Sequence, residues 1–216
     1  MSNSVVPKLQ CLDFVFCLDN SEAMKPYFKD TRDFIIRLCS NALKSFSSKG
    51  WLIKAPRARL VFFKNDEENG TSVKESEFFD ISCEEERLLG FFDKEFNPSG
   101  AQGLDQNGFD ALECAMMSDW TVFPRGRQII ILISGTSALK RDKEGMDRLL
   151  DKWLLDNTTM PNHRLIQRQK RLILIAPSSS NYLELAEEFD RTVFEAIDYN
   201  DGGLGAINLS YIFTQF

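Results

Sequence analysis

The stretch LDFVFCLDNSEAM, residues 12–24, carries the most suggestive chemistry in the chain. Asp19 and Ser21 place a carboxylate and a hydroxyl just beyond a run of apolar residues. Hard oxygens of this kind suit Mg²⁺, which demands a near-octahedral shell and keeps several of its waters. They suit a plainer task equally well. Either side chain can accept N–H bonds at the start of a helix beginning near Glu22, where the helix dipole favours negative charge. Further oxygens stand on two later loops: Asp105 within NPSGAQGLDQNG (97–108), and Ser134 and Thr136 at the end of QIIILIS (128–134). Asp105 also reads simply as a solvated loop residue.

Other reactive groups are poorly framed. The single histidine, His163, sits in the polar stretch PNHRLIQRQK with neither a GxSxG motif nor a cysteine partner, and reads as a surface residue. The five cysteines (Cys11, Cys17, Cys39, Cys83, Cys114) form no CxxC pair, so zinc is not indicated; they read as reduced, mostly buried thiols. The loop after Leu18 contains no glycine, which excludes a GxGxxG dinucleotide site. Gly100 and Gly103 read as turn residues. The basic cluster Arg164, Arg168, Lys170 and Arg171 reads as a charged flank that guards a buried strand against aggregation.

Short apolar runs alternate with helical patterns and must position these residues. Residues 12–18 form a first strand, apolar on both faces. Phe28, Ile35, Leu38, Ala42, Leu43 and Phe46 then predict an amphipathic helix over 22–47. ARLVFFK (58–64) is a second strand, NDEENG (65–70) a turn and 73–81 an edge strand. Ser82 and Glu85 make a capping box for a helix through Leu88, Leu89 and Phe92. Phe91, Phe92 and Phe96 are expected in the core. A helix follows from Phe109 to about Ser118, then the central strand 128–134 and a helix over Met146, Leu149, Leu150 and Trp153. RLILIA (171–176) is a buried strand, followed by a helix over Leu183, Leu185 and Phe189, a short strand at 192–196 and a final helix over 204–216. This alternation predicts a three-layer, doubly wound α/β fold with a mostly parallel sheet, strand order 3-2-1-4-5-6, one antiparallel edge strand and right-handed crossovers. Ligands of such sheets sit beyond the carboxyl ends of the strands, which selects the loops after Leu18, at 97–108 and after Ser134.

At those three loops the chain resembles the von Willebrand factor type A family. Asp19, Asn20, Ser21, Glu22, Ala23 and Met24 align with the Asp-x-Ser-x-Ser start of its metal-ion-dependent adhesion site. GLDQNGFDALECAMMSDW (103–120) is similar to the middle motif of the integrin beta and bacterial branch, and Leu132, Ile133, Ser134 and Gly135 match part of a strand ending in Thr-Asp. The resemblance implies a protein-binding domain with an Mg²⁺ site, and the departures bear on that site. Ala23 replaces the second hydroxyl, the middle loop lacks its acidic ligand, and Gly135 stands where the family has Asp. The reduced set that survives is Asp19, Ser21 and Asp105.

The chain has 216 residues, net charge −6 and pI about 5.0. That length suits one core, read as a single domain over 1–216 with an N-terminal extension at 1–10 and a C-terminal helix at 204–216. The acidic balance argues against nucleic acid or an acidic membrane as partner. No apolar run reaches the ~20 residues of a membrane span, and MSNSVVPKLQ lacks a secretory signature. Eighteen Phe against four Tyr promise an aromatic interior. The expectation is a non-catalytic, cytoplasmic, bacterial adaptor that binds another protein and needs no cofactor. Its partner-binding face would comprise Asn20, Glu22, Gln102, Gln106, Thr136 and Ser137. The alternative is a Mg²⁺-dependent binding domain; a small hydrolase or nucleotide-binding protein comes third.

Overall fold

The computed structural model describes residues 8–66, 70–99, 105–121, 126–138, 140, 143–154, 170–198 and 203–214. Eight strands form one sheet: β1 (Lys8–Asp19), β2 (Trp51–Ile53), β3 (Arg57–Asp66), β4 (Gly70–Glu75), β5 (Phe79–Asp80), β6 (Gly126–Ile133), β7 (Lys170–Ala176) and β8 (Thr192–Ala196). The main path runs β4-β3-β1-β6-β7-β8. All pairings along it are parallel except β3–β4. Counted over the six strands expected from sequence, this is the order 3-2-1-4-5-6.

Helices cover both faces: α1 (Phe28–Ser48), α2 (Glu85–Glu95), α3 (Gly108–Met116), α4 (Lys143–Leu154), α5 (Tyr182–Glu188) and α6 (Leu209–Thr214). Alternation along the central strands explains the two cores. Phe14, Phe16, Leu18, Ile129, Ile131 and Ile133 face α1, α2 and α6. Val15, Cys17, Ile130, Leu132, Leu172 and Leu174 face α3, α4 and α5. Strands buried on both faces must be apolar throughout, which is why these runs were legible. Phe28, Phe62, Phe92 and Phe96 cluster with ring centroids 4.8–6.2 Å apart, so Phe92 and Phe96 are core residues and Phe91 packs partly buried beside them.

Several boundaries differ from expectation. β1 begins at Lys8, because Lys8–Gln10 pairs in parallel with the short β2. The stretch 73–81 divides into β4 and β5, which pair with opposite ends of β3. The first helix opens as a 3₁₀ turn over Glu22–Tyr27 that contains Pro26. Proline has no N–H and disfavours α geometry in the residue before it. The final helix is a 3₁₀ turn at Gly203–Gly205 followed by α6. The capping box at Ser82 does not form, and Glu84 occupies the N-cap of α2 without a side-chain cap bond. Instead Asp80 captures the Ser82 N–H at 2.9 Å and its hydroxyl in a local turn.

At the amino end of the sheet, β1 buries one charge. Asp13 is 1% exposed and opposite Arg57 in the β1–β3 register. Its carboxylate accepts Arg57 Nε at 3.0 Å and Nη2 at 2.8 Å, with Thr121 N at 2.6 Å and Thr121 Oγ1 at 3.2 Å. The guanidinium also lies 4.3 Å from the Phe78 ring centroid.

Candidate functional site

The carboxyl ends of β1, β3 and β6 converge on Asp19, a fully buried carboxylate. Asn20 N donates to Phe63 O at 2.8 Å and Ser134 N to Ile175 O at 3.0 Å, so strand pairing carries on just past both strand ends. These bonds fix where each loop leaves the sheet. Asp19 Oδ1 then accepts the Ser21 N–H at 2.8 Å. Oδ2 accepts the Ser134 hydroxyl at 2.8 Å, Gly135 N at 3.2 Å and the Thr136 hydroxyl at 3.3 Å. Asp19 is therefore not the helix cap foreseen for it. Ser21 is the N-cap of the 3₁₀ turn, without a side-chain cap bond, and the carboxylate faces the β6 loop instead. Three of its four donors come from the loop after β6.

Burial pushes the Asp19 carboxyl above the usual range, and the hydrogen bonds from Ser21, Ser134 and Gly135 hold it partly back. A carboxyl raised in the folded state binds more protons there than in the unfolded chain. Its contribution to stability therefore falls as pH rises from the ordinary aspartate value, about 3.9. We expect the stability of wild type relative to Asp19→Asn to decline across that window, as measured by urea unfolding between pH 4 and 7.

Two hydroxyls at the site are left without a full hydrogen bond. Ser21 Oγ, beside Asp19, and Tyr182 Oη, beside Ser134, are buried and reach no partner among the described residues at full hydrogen-bond geometry. Tyr182 opens α5 and packs at a tilt against Phe109, with centroids 5.8 Å apart and the ring planes 51° from parallel. Burial, and then the negative charge of Asp19, push its phenol well above the usual value. Its oxygen is so close to α3 that a Cβ on Gly108 would sit 1.9 Å away. Sequence reasoning overlooked Tyr182, although the spacing of Tyr182, Leu185 and Phe189 marks the buried face of α5, and Leu183 is 41% exposed.

The other expected residues lie in different places. Asp105 is exposed, and its backbone carbonyl accepts Asn65 Nδ2 at 2.7 Å. Gln106 is 1% exposed and so does not stand on the surface as expected. Its side-chain oxygen accepts Asn65 N at 2.7 Å, its own N donates to Ser137 O at 2.9 Å, and it forms a bridge with Ala138. Gln106 builds the face from beneath. Ser137 Oγ accepts Asn181 N at 3.1 Å, while Asn181 Nδ2 donates to Ala138 O at 2.7 Å. Asn20, Glu22, Thr136 and Ser137 are partly exposed and surround Asp19. Glu22 pairs with Lys25 at 3.2 Å. Gln102, together with His163, Arg164 and Arg168, lies outside the described residues. Gly135 packs against the 3₁₀ turn: a Cβ there would meet Met24 Sδ at 3.0 Å and Ala23 Cβ at 3.4 Å.

No protein-family model matches the chain, and no curated protein sequence does. Among solved structures it is similar to proximal thread matrix protein 1 from the mussel byssus, with TM-score 0.60 and 13% identity over 96% of this chain. A form of that protein described as having a zinc-occupied MIDAS motif gives 0.54 and 11%. The pilus adhesin SpaC from Lactobacillus rhamnosus GG gives 0.52 and 9% over 95% of this chain. The chain spans 48% of the length of the mussel protein and 29% of the adhesin. The fold is thus von Willebrand factor type A-like.

Proposed function

We propose that the chain is a non-catalytic protein-binding module that presents the face around Asp19 to a partner without an intervening metal. One observation carries the metal-free part: Asp19 already accepts four donors from its own chain. A cation would have to displace them and would find few replacements. Among the described residues no group of three or more His, Cys, Asp or Glu side chains converges as ligands. Ala23 and Met24 fill the space beside Gly135, and Asp105 is exposed. One carboxylate is poor compensation for dehydrating Mg²⁺. Support for protein binding comes from the matrix protein and the adhesin that share the fold. In this reading the chain is an adaptor or subunit of a larger assembly in the bacterial cytoplasm. The five free cysteines agree with that compartment, and no helix among the described residues is long and apolar enough to cross a membrane.

The buried Ser21 hydroxyl, without a full hydrogen bond, favours a second reading, in which Asp19, Ser21 and Asp105 hold Mg²⁺ weakly and a partner's carboxylate completes the shell. Thermal melting in rising Mg²⁺, Mn²⁺ or Zn²⁺ separates the two, since a ligand that binds only the folded state must raise its stability. We expect no saturable rise in Tm. A rise that disappears in Asp19→Ala would overturn the metal-free reading.

A further inference from the structure

The main path of the sheet ends at β4 on one side and at β8 on the other, and the two edges are guarded differently. An edge strand offers its main chain to any further strand, and natural edges are blunted by charge, above all by lysine, or by proline. β4 has such guards: Lys74 and Glu75 are exposed and pair with Glu95 and Arg59. β8, TVFEA, contains neither lysine nor proline, and Val193 and Phe194 are only partly covered. Its ladder with β7 fixes what faces outward. Leu172 N donates to Arg191 O at 3.3 Å and Ile197 N to Ala176 O at 3.0 Å, in a parallel register that sets Leu172 beside Thr192 and Ala176 beside Ala196. In such a pair every second residue turns its main-chain groups to the neighbour. Val193 and Glu195 therefore serve β7, while the N–H and C=O of Thr192, Phe194 and Ala196 point to the edge. Among the described residues these groups meet no hydrogen-bond partner.

Charge decides what this edge can take. Alternation puts Arg191, just before the strand, and Glu195, near its end, on one side of it. Burial raises the Glu195 carboxyl, and no cation among the described residues pairs with it. Positive charge gathers at the other end. Arg171 of β7 is brought down to about 10 by burial and by Arg127 and Arg191, while Arg191 Nε lies 3.7 Å from Asp190. A second β8 laid parallel would set like charge against like. Laid antiparallel, it brings Glu195 of each copy to Arg191 of the other. The two stand opposite when the two-fold axis passes Val193 and diagonal when it passes Phe194, and an arginine reaches across either distance. Both settings satisfy the outward groups of Thr192 and Phe194. We propose that two copies of this chain pair antiparallel through β8, forming a closed two-fold dimer with one continuous sheet. The edge is complementary to itself, as a two-fold interface must be. The proposal does not depend on the reading of the Asp19 face.

Sedimentation velocity from about 1 μM to about 1 mM tests it. The wild-type chain should pass from monomer to dimer in that range, and hydrogen exchange at the Thr192 and Phe194 amides should slow at least tenfold as it does. Arg191→Glu and Glu195→Arg each leave one sign of charge at both positions, and each should weaken the dimer at least tenfold with an unchanged circular dichroism spectrum. An equimolar mixture of the two variants should restore it, since each supplies the charge that the other lacks. A chain that stays monomeric throughout would overturn the proposal. So would a dimer indifferent to both substitutions, or variants whose mixture stays monomeric. Amides already slow in the monomer would show the chain covering its own edge, and amides still fast in the dimer would place the contact elsewhere; either result overturns it.

Discussion

Arg57→Leu should destabilise the protein by about 3–5 kcal/mol, the range found when one partner is removed from a buried ion pair. The cost falls on the partner left behind. Asp13 has a side-chain exposure of 2%, against 26% for Arg57, so the carboxylate cannot turn to solvent when the guanidinium goes. Thr121 would remain as its only donor residue among the bonds described, through N at 2.6 Å and Oγ1 at 3.2 Å. The double variant Arg57→Leu, Asp13→Leu should recover much of the loss, because replacing both members of a buried pair by apolar groups is often close to neutral. Urea unfolding of the two single variants and the double variant closes the cycle. A single-variant loss below 1 kcal/mol would show that the pair behaves as an exposed one, worth little.

Gly108→Ala is the second large effect, and it reaches the candidate site. The added methyl would lie 1.9 Å from Tyr182 Oη and 2.8 Å from its Cζ, and Tyr182 is fully buried with nowhere to retreat. Overpacking of this kind costs about 1–3 kcal/mol, and so severe an overlap belongs at the top of that range. Tyr182→Phe works in the opposite direction. It removes a buried hydroxyl that only approaches Ser134 without full hydrogen-bond geometry, and should stabilise the chain by no more than about 1 kcal/mol, the low end of the penalty for an unsatisfied group. In Gly108→Ala, Tyr182→Phe the nearest clash is gone but the ring remains close, so rescue should be partial and the two effects clearly non-additive. Additive melting shifts in this pair would mean that the phenol does not sit over Gly108.

The difference between these sites and the sheet shows what local pattern can and cannot reveal. Ile129–Ile133 and Leu172–Ala176 announce themselves because a central parallel strand is apolar on both faces. The parallel sheet followed from the alternation of strands with helices, and its order is the one expected of a Rossmann-like sheet. Asp19 and Ser21 were also legible as a pair at a strand end, but their partners were not. Whether Asp19 caps a helix or binds a loop depends on Ser134, Gly135 and Thr136, which the register between β1 and β6 brings alongside. The capping box at Ser82 failed for a related reason, since Asp80 offered its serine a nearer acceptor. Gln106 looked like an exposed loop residue because nothing local shows that Asn65 and Ser137 close over it. Tyr182 and Gly108 meet only in three dimensions, so periodicity could bury the tyrosine without saying against what.

The contact of Gly135 with Ala23 and Met24 has a consequence for how this face can change over generations. Any side chain at position 135 needs Met24 or Ala23 to give way by a few tenths of an ångström, so a carboxylate acquired there arrives first as a packing fault. Met24 is itself fully buried and has little freedom to yield. Ala23 and Gly135 are close enough for substitutions at the two positions to couple, so the effect of either depends on what stands at the other.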